Sequence, residues 1–447
     1  MNEENNMELP EEVSETAVPE TAEVTEKKES RLSARRKRGV SFSSVVFVIV
    51  ITAMISILLT FTITWAYAKD VLSLPEGSTL DKIVDKLSAI EAQLDAEYIK
   101  EIDEDALVDS VMKGYMYGIG DDYADYYTQE EYESLMADLS GEGVGIGVSV
   151  IYNSEYAAIE VISVFPNSPA FDAGVKEGDL ISHVYVDGTS VSVAELGYTG
   201  ALKEMLGEEG TSAEFTVFRG ENYSEIVDFS ITRATYTETT VYSHLYGPDN
   251  SIGVIKITSF DGSTPDQFNE ALKNLTDSGI RGIIFDVRYN PGGELTSVCN
   301  ILDVLLPEGP VIRTVDKSGN EAVVYSSGPE ETDIPMVVLV NGSTASAGEL
   351  FTAALRDYEK ASVVGTLTYG KGSMQTTIGC SDGTGFKYTY RYYYPPFSDN
   401  YDGIGLTPDV EVELTEELQE INIFKVSDEE DNQMKAAYDE LLKQISK

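Results

Sequence analysis

The chain has 447 residues, 42% of them hydrophobic, enough for about two to four compact units and too many for wholesale disorder. Asp and Glu number 77 against 31 Lys and Arg, and the net charge of −46 excludes a broad grip on nucleic acid, which needs cations to neutralise phosphates. Two cysteines, Cys299 and Cys380, cannot build a disulfide framework or a four-thiolate zinc site, and two histidines, His183 and His244, leave no HExxH centre. The expectation is therefore chemistry on Ser, Lys, Asp, Glu, Tyr or backbone groups, with no metal and no cofactor.

Residues 1–40 are rich in Glu, Thr, Val and Pro without periodicity and read as a disordered cytoplasmic tail, ending in the basic cluster Arg31, Arg35, Arg36, Lys37 and Arg38. No charged residue occurs from Gly39 to Ala68, and Val45–Ala68 is strongly apolar. About 20 such residues cross a bilayer as a helix, so 41–68 is predicted as one N-terminal transmembrane helix. Trp65 and Tyr67 suit the aromatic belt, and the basic cluster holds the N-terminus in the cytoplasm. The expectation is a single-pass cell-membrane anchor with everything beyond Lys69 extracytoplasmic. Ala66-Tyr67-Ala68 also fits a signal cleavage site, although the apolar stretch is longer than the usual signal core. Either way the remainder is exported, and its acidic surplus serves solubility.

Residues 69–140 are predicted helical. Leu80, Ile83, Val84, Leu87, Ile90 and Leu94 form an amphipathic stripe that reads as a packing helix, and the aromatic, acidic Tyr115–Tyr132 reads as a satellite core with polar tips, with a substrate-contacting surface as the alternative. From 141 to 233 the pattern turns to strands. Glycines at 141, 143, 145 and 147 lead into a strand rather than a helix, which excludes a dinucleotide fingerprint and suits a backbone nest for a carboxylate. A short helix at Ser168–Ala173, a strand, a helix near Val193–Leu206 and a hairpin follow. In GVGIGV, SPAFDAGVKEGDLI and VDGTSV this block resembles a PDZ domain. The resemblance implies strand addition of a peptide whose C-terminal carboxylate sits at Gly145, Ile146 and Gly147. His183 stands where an aliphatic residue is common and reads as a half-exposed strand residue.

Three glycine-punctuated segments follow in residues 234–447. In RGIIFDVRYNPGGELTSVCNILDVLL, strand Ile283–Val287 and helix Glu294–Leu306 flank a turn whose adjacent glycines let backbone N–H groups approach an oxygen. In IPMVVLVNGSTASAGELFTAALRDY, the apolar strand Met336–Val340 precedes a turn of small residues and a helix over Glu349–Tyr358. A serine there sits at the positive end of a helix dipole, where a nucleophile finds oxyanion donors and where an ordinary N-cap also stands. In VVGTLTYGKGSMQTTIGC, Lys371 lies between two glycines. Gly365-x4-Gly370-Lys371 imitates a phosphate-binding loop, but Gly372 replaces the magnesium-binding hydroxyl.

Together, from about Leu80 to the C-terminus, DVRYNPGG, NGSTASAGE, YGKGSMQ and GIGLTPDVEV resemble the carboxyl-terminal processing peptidases, tail-specific serine endopeptidases of family S41. The resemblance implies an α/β (crotonase/ClpP-like ββα) core with an inserted PDZ-like domain. It implies Ser346 as nucleophile, Lys371 as general base and Gln375 orienting that lysine. Oxyanion donors would be Gly292 or Gly293 with Ala347. The implied partners are protein or peptide substrates with exposed C-termini, and homo-oligomers through terminal helices such as Asp428–Ile445. Thr344 and Gly348 depart from the family's GSASASE while keeping the turn small. The alternative is a catalytically inactive, membrane-tethered peptide-binding protein.

The residues support the same chemistry. Serine is a poor nucleophile until a base takes its proton. Neither histidine lies in a glycine-flanked loop, which argues against a His-based triad. A lysine base must be neutral, and moving its pKa from ~10.4 to about 7–8 costs near 4 kcal/mol. Burial around Lys371 is expected to outweigh the acidic surface.

Overall fold

The computed structural model describes residues 78–329, 331–419 and 426–446, with Met54, Leu59 and Thr60. The expected tail lies outside the described residues, as does the expected anchor apart from those three. Among the described residues no helix is long and apolar enough to cross a membrane.

The chain divides into two units, residues 1–101 and 102–447. In the first, α1 (Thr79–Glu97) starts at Ser78, whose Oγ accepts the Asp81 N–H at 3.1 Å. Among the described residues, none of the side chains of α1 is buried.

The second unit opens with α2 (Glu104–Gly118), β1 (Asp125–Tyr127) and α3 (Gln129–Ser140). Thr128 and Glu131 cap α3 reciprocally. The expectation of helix throughout this lead-in fails at β1. Tyr126 is buried, and β1 is recruited as an edge strand by a distant sheet.

Residues 142–237 form a module of β2 (Glu142–Gly145), β3 (Val148–Asn153), β4 (Ala158–Val164), α4 (Pro169–Ala173), β5 (Leu180–Val186), β6 (Thr189–Ser192), α5 (Val193–Met205), β7 (Ser212–Arg219), β8 (Glu225–Thr232) and β9 (Ala234–Thr237). Antiparallel β2 and β9 make a two-stranded ribbon through which the chain enters and leaves. The remaining strands form one sheet, ordered β3-β4-β5-β7-β8 with β6 on β5. Ile159, Ile181, Phe215 and Val217 pack with Val193 and Ala201 of α5 in its core. Gly147 has φ 78°, and its carbonyl accepts Ser168 Oγ at 3.1 Å. The Ile146 carbonyl accepts the Ala170 N–H at 2.8 Å. His183 is half-buried on β5, as expected.

The core follows as β10 (Val241–Tyr246), β11 (Ile252–Ile257), α6 (Thr264–Asp277), β12 (Gly282–Asp286), α7 (Leu295–Leu305), β13 (Gly309–Asp316), β14 (Glu321–Ser327), β15 (Met336–Val340), α8 (Ala347–Asp357), β16 (Ala361–Gly365), β17 (Ser373–Gly379), β18 (Gly385–Tyr394), β19 (Val410–Glu411), α9 (Glu416–Gln419) and α10 (Asn432–Ile445). A six-stranded sheet runs β10-β11-β12-β15-β16-β19, parallel except for β10. Alternate residues serve opposite faces. Ile255, Phe285 and Val338 meet Phe268, Leu302 and Phe351 of α6, α7 and α8. Val254, Ile284, Val337 and Leu339 meet Met434, Ala437 and Leu441 of α10. Both faces are covered, which is why Met336–Val340 reads as unbroken apolar sequence. The apolar face of α10, which lies within the terminal segment Asp428–Ile445, is buried on its own sheet.

A second, antiparallel sheet, β1-β18-β13-β14 with β17 on β18, carries the lysine loop at the start of β17. Beneath the parallel sheet, buried Arg288 grips Asp286 (2.9 and 2.8 Å) and Asp431, the N-cap of α10 (2.7 Å). Cys299 is buried, Cys380 is exposed, and both are free.

Candidate active site

Strand β15 delivers the chain to a turn that ends at Ser346, immediately before α8. Ser346 adopts φ 52° and ψ −115°, a conformation costing a non-glycine residue about 1–3 kcal/mol. Its surroundings impose it. Buried Thr344 donates its hydroxyl to the Val287 carbonyl (2.8 Å), and the Ala345 N–H reaches the Asn290 carbonyl (2.9 Å). Gly292 presses on the turn so closely that a Cβ there would lie 2.7 Å from Ser346 Cβ. The turn lifts the serine to the N-terminus of α8, the electropositive end of the helix.

Two residues beside the serine, Ala347 and Gly293, carry backbone N–H groups in the lining of one cavity. Among the described residues neither the Ala347 nor the Gly293 N–H has a protein acceptor. Gly292 differs, because Asn290 Oδ1 takes its N–H at 2.8 Å. Of the two glycines considered as oxyanion donors, Gly292 is thus already committed and Gly293 is available.

Lys371 sits on a loop fixed from both sides. Asp402 Oδ1 accepts the Gly372 N–H (2.8 Å), and Tyr393 donates its hydroxyl to the Lys371 carbonyl (2.6 Å). A Cβ on Gly372 would come 2.6 Å from Asn400 Nδ2, so only glycine allows this approach. From the other side comes Glu349, fully buried in the first turn of α8. Its Oε1 accepts the Thr368 hydroxyl (2.5 Å) and the Gly370 N–H (2.7 Å). Its Oε2 accepts the Lys371 N–H (2.8 Å) and the Ser346 N–H (3.0 Å). One carboxylate therefore joins the serine turn to the lysine loop.

Ser346, Ala347, Gly293, Lys371 and Gln375 line one cavity of about 390 Å³, walled by Leu135, Leu139, Leu295, Leu350 and Met374. The two central side chains share this cavity without a hydrogen bond between Ser346 Oγ and Lys371 Nζ among the described residues. Lys371 Nζ instead lies 4.3 Å from the ring centroid of Tyr123. Gln375, expected to orient the lysine, donates to Thr389 Oγ1 (3.0 Å) and Ser373 Oγ (3.2 Å). A register shift between Met374 and Gln375, where β17 pairs with β18, accompanies this placement. Gly145, Ile146 and Gly147 belong to the 142–237 module and do not line the cavity.

Burial pulls the Lys371 pKa below the ordinary lysine value, helped by the positive charge of Lys387 and opposed by Asp121, Asp402 and Glu349. That is the direction a base requires. Burial pushes Glu349 above the ordinary carboxyl value against the four donors it accepts. Burial and Tyr369 push Tyr123 up to about 12, so its phenol stays neutral.

Sequence reading passed over Glu349, Tyr123 and Asp121. Glu349 had a visible signal, three residues after a helix-initiating serine where a carboxylate reaches back to the cap N–H. Tyr123 and Asp121 lie in the aromatic, acidic stretch Tyr115–Tyr132, but nothing in the sequence ties that stretch to the distant lysine.

The model of peptidase family S41 matches residues 251–412, which carry the strand–turn–helix units just described. The carboxy-terminal processing protease CtpA of Bacillus subtilis is 33% identical over 369 residues, covering 82% of this chain and 77% of that protein. A probable CtpA-like serine protease of Staphylococcus aureus is 31% identical over 405 residues, covering 89% and 78%. Among solved structures, a putative S41 protease from Bacteroides fragilis aligns over 78% of this chain and 99% of its own, with 15% identity and a TM-score of 0.50, a likeness of fold. The chain belongs to peptidase family S41 and is a serine-type peptidase related to the carboxy-terminal processing proteases.

Proposed function

We propose that the protein is a membrane-anchored, extracytoplasmic endopeptidase that cleaves peptide bonds with Ser346 as nucleophile and Lys371 as its base. One observation carries this reading. A strained serine at a helix N-terminus shares a cavity with a lysine whose ammonium form burial disfavours.

A substrate C-terminus docks on the 142–237 module, its carboxylate at the Gly145–Gly147 loop, and the chain runs on into the cavity. The apolar wall of Leu135, Leu139, Leu295, Leu350 and Met374 suits an apolar residue beside the scissile bond. Ser346 Oγ attacks the carbonyl carbon as its proton passes to Lys371 Nζ. The oxyanion takes the Ala347 and Gly293 N–H groups, each worth about 3–4 kcal/mol in such a role. Lys371 returns the proton to the departing amine, then draws one from the water that attacks the acyl-enzyme and passes it to Ser346 Oγ as the ester bond breaks. This requires Lys371 to leave Tyr123, with Gln375 turning toward it.

A covalent serine probe tests the assignment. It labels the wild-type protein at Ser346, and labelling and peptide cleavage both disappear in Lys371→Ala. Cleavage by Lys371→Ala at the parent rate refutes the dyad. Deleting residues 142–237 is expected to abolish discrimination between peptides that differ only at their C-termini; unchanged selectivity removes the docking role. Membrane fractionation of the full chain and of a chain starting at residue 69 tests the anchor, which only the full chain should show.

A further inference from the structure

The segment Gly120–Tyr123 precedes β1, far from the serine and lysine loops in sequence, yet it meets Lys371 directly and Gln375 through Thr389. Lys371 Nζ lies over the Tyr123 ring, 4.3 Å from its centroid. Asp121 accepts the Thr389 N–H on Oδ2 (2.7 Å) and the Thr389 hydroxyl on Oδ1 (3.1 Å), and Thr389 Oγ1 in turn accepts Gln375 Nε2. The same four residues thus hold the lysine by an aromatic face and the glutamine through one intervening threonine. β1 anchors the segment to β18, and Tyr369 stands close enough to the Tyr123 phenol to help raise its pKa.

An aromatic face attracts an ammonium ion and has no comparable hold on a neutral amine. We propose that Tyr123 is a positioning residue that seats protonated Lys371 away from Ser346, so that loss of the proton and release toward the serine are one event. This inference rests on the Ser346–Lys371 reading above and adds to it the residue that sets when the lysine becomes available. The charged groups facing Lys371 are Lys387 on β18, Asp121 on this segment, Asp402 on the loop after β18 and Glu349 on α8. Tyr369, whose phenol also faces Tyr123, belongs to the lysine loop. Of these, Lys387 favours the neutral amine, and Asp121, Asp402 and Glu349 join the ring in favouring the ammonium.

The test is the pH profile of kcat/KM for peptide cleavage by the full chain, in wild type, Tyr123→Leu and Tyr123→Phe. Leucine keeps an apolar contact and removes the ring, so its rising limb should move to lower pH by about 0.5–1.5 units. Phenylalanine keeps the ring, and its limb should stay within a few tenths of a unit of wild type. A Tyr123→Leu limb that is unmoved, or moved to higher pH, overturns the proposal. A second readout does not need turnover. In Ser346→Ala protein carrying 13C-labelled lysine, the Lys371 side-chain protons should show an upfield ring-current shift that Tyr123→Phe retains and Tyr123→Leu loses. The amine should titrate at lower pH in Tyr123→Leu. Equal resonances and equal titration in all three also overturn it. Lys371→Ala separates the two claims, because full activity there ends the dyad reading, whereas an inactive Lys371→Ala with an unmoved Tyr123→Leu limb ends the seat alone.

Discussion

Ser346 and Lys371 share a single oxygen atom, Glu349 Oε2, which accepts the backbone N–H of the first at 3.0 Å and of the second at 2.8 Å. Their side chains are not bonded to each other, and this buried carboxylate, with the Tyr369 N–H donated to the Thr344 carbonyl (3.0 Å), ties the serine turn to the lysine loop. Glu349→Gln puts an NH2 group where two N–H donors already point. Each orphaned buried donor costs about 1–3 kcal/mol, so the variant should lose about 2–6 kcal/mol of stability. Urea unfolding checks this, and kcat should fall more than KM rises. An unchanged midpoint refutes the bridge.

The positive charge of Lys387 lines the same cavity and, after burial, does most to depress the Lys371 pKa. Lys387→Gln should therefore shift the rising limb of kcat/KM to higher pH by a fraction of a unit, opposite in sign to Tyr123→Leu. Measuring both variants in one buffer series at constant ionic strength fixes the signs. A Lys387→Gln limb at lower pH contradicts the electrostatic account.

Arg288 forks between Asp286 at the end of β12 and Asp431 at the N-cap of α10, with all three buried. Arg288→Met deprives two buried carboxylates of their guanidinium partner, leaving only the charge of Lys256 nearby, and should cost about 3–5 kcal/mol in a urea titration. Arg288→Lys should recover little, since one ammonium cannot reproduce the fork. Full recovery by lysine would show that charge alone matters.

His244 on β10 bonds Asp428 (2.5 Å), and this hydrogen bond, with the nearby acidic charge, raises its pKa above the ordinary value despite partial burial. Because the folded pKa is the higher one, the stabilisation is complete below ~6.5, the unfolded value, and fades as pH rises through the folded value. The pair is half-exposed, so it contributes at most about 1 kcal/mol. The stability gap between wild type and His244→Gln should be wider at acidic than at alkaline pH. A gap constant with pH contradicts this.

Thr344 and Gly348 are coupled. A Cβ on Gly348 would meet Thr344 Cγ2 at 3.2 Å and the Asn290 carbonyl at 3.3 Å. Gly348→Ala alone should destabilise by about 1–3 kcal/mol through overpacking. Thr344→Ser keeps the hydroxyl that bonds Val287, removes the methyl, and should recover part of that loss. Additive effects in a double-mutant cycle would show the two positions to be independent.

The elements of the core were legible because their signals are local. Met336–Val340 is apolar throughout because a parallel strand is buried on both faces. The glycines around residues 292 and 371 mark turns where backbones approach within a Cβ's width. The lead-in was misread for the opposite reason. Asp125–Tyr127 becomes a strand through pairing with Lys387, Phe386 and Gly385, partners no nearby residue announces. The α1 stripe carries the helical period faithfully, but period reports a face and not what covers it.

At the site, sequence alone determined which groups are present: one serine at a helix start, one lysine between glycines and a glutamine four residues beyond. Spacing along the chain fixes turn type and dipole position, because both arise from contacts a few residues apart. Only the tertiary structure decided where those groups point. Tyr123 takes the ammonium, Thr389 takes the glutamine amide, and Asn290 takes one of two candidate N–H groups. Each is a competition among partners brought together by sheet pairing, won by distance and desolvation, and neither quantity exists until the chain is folded.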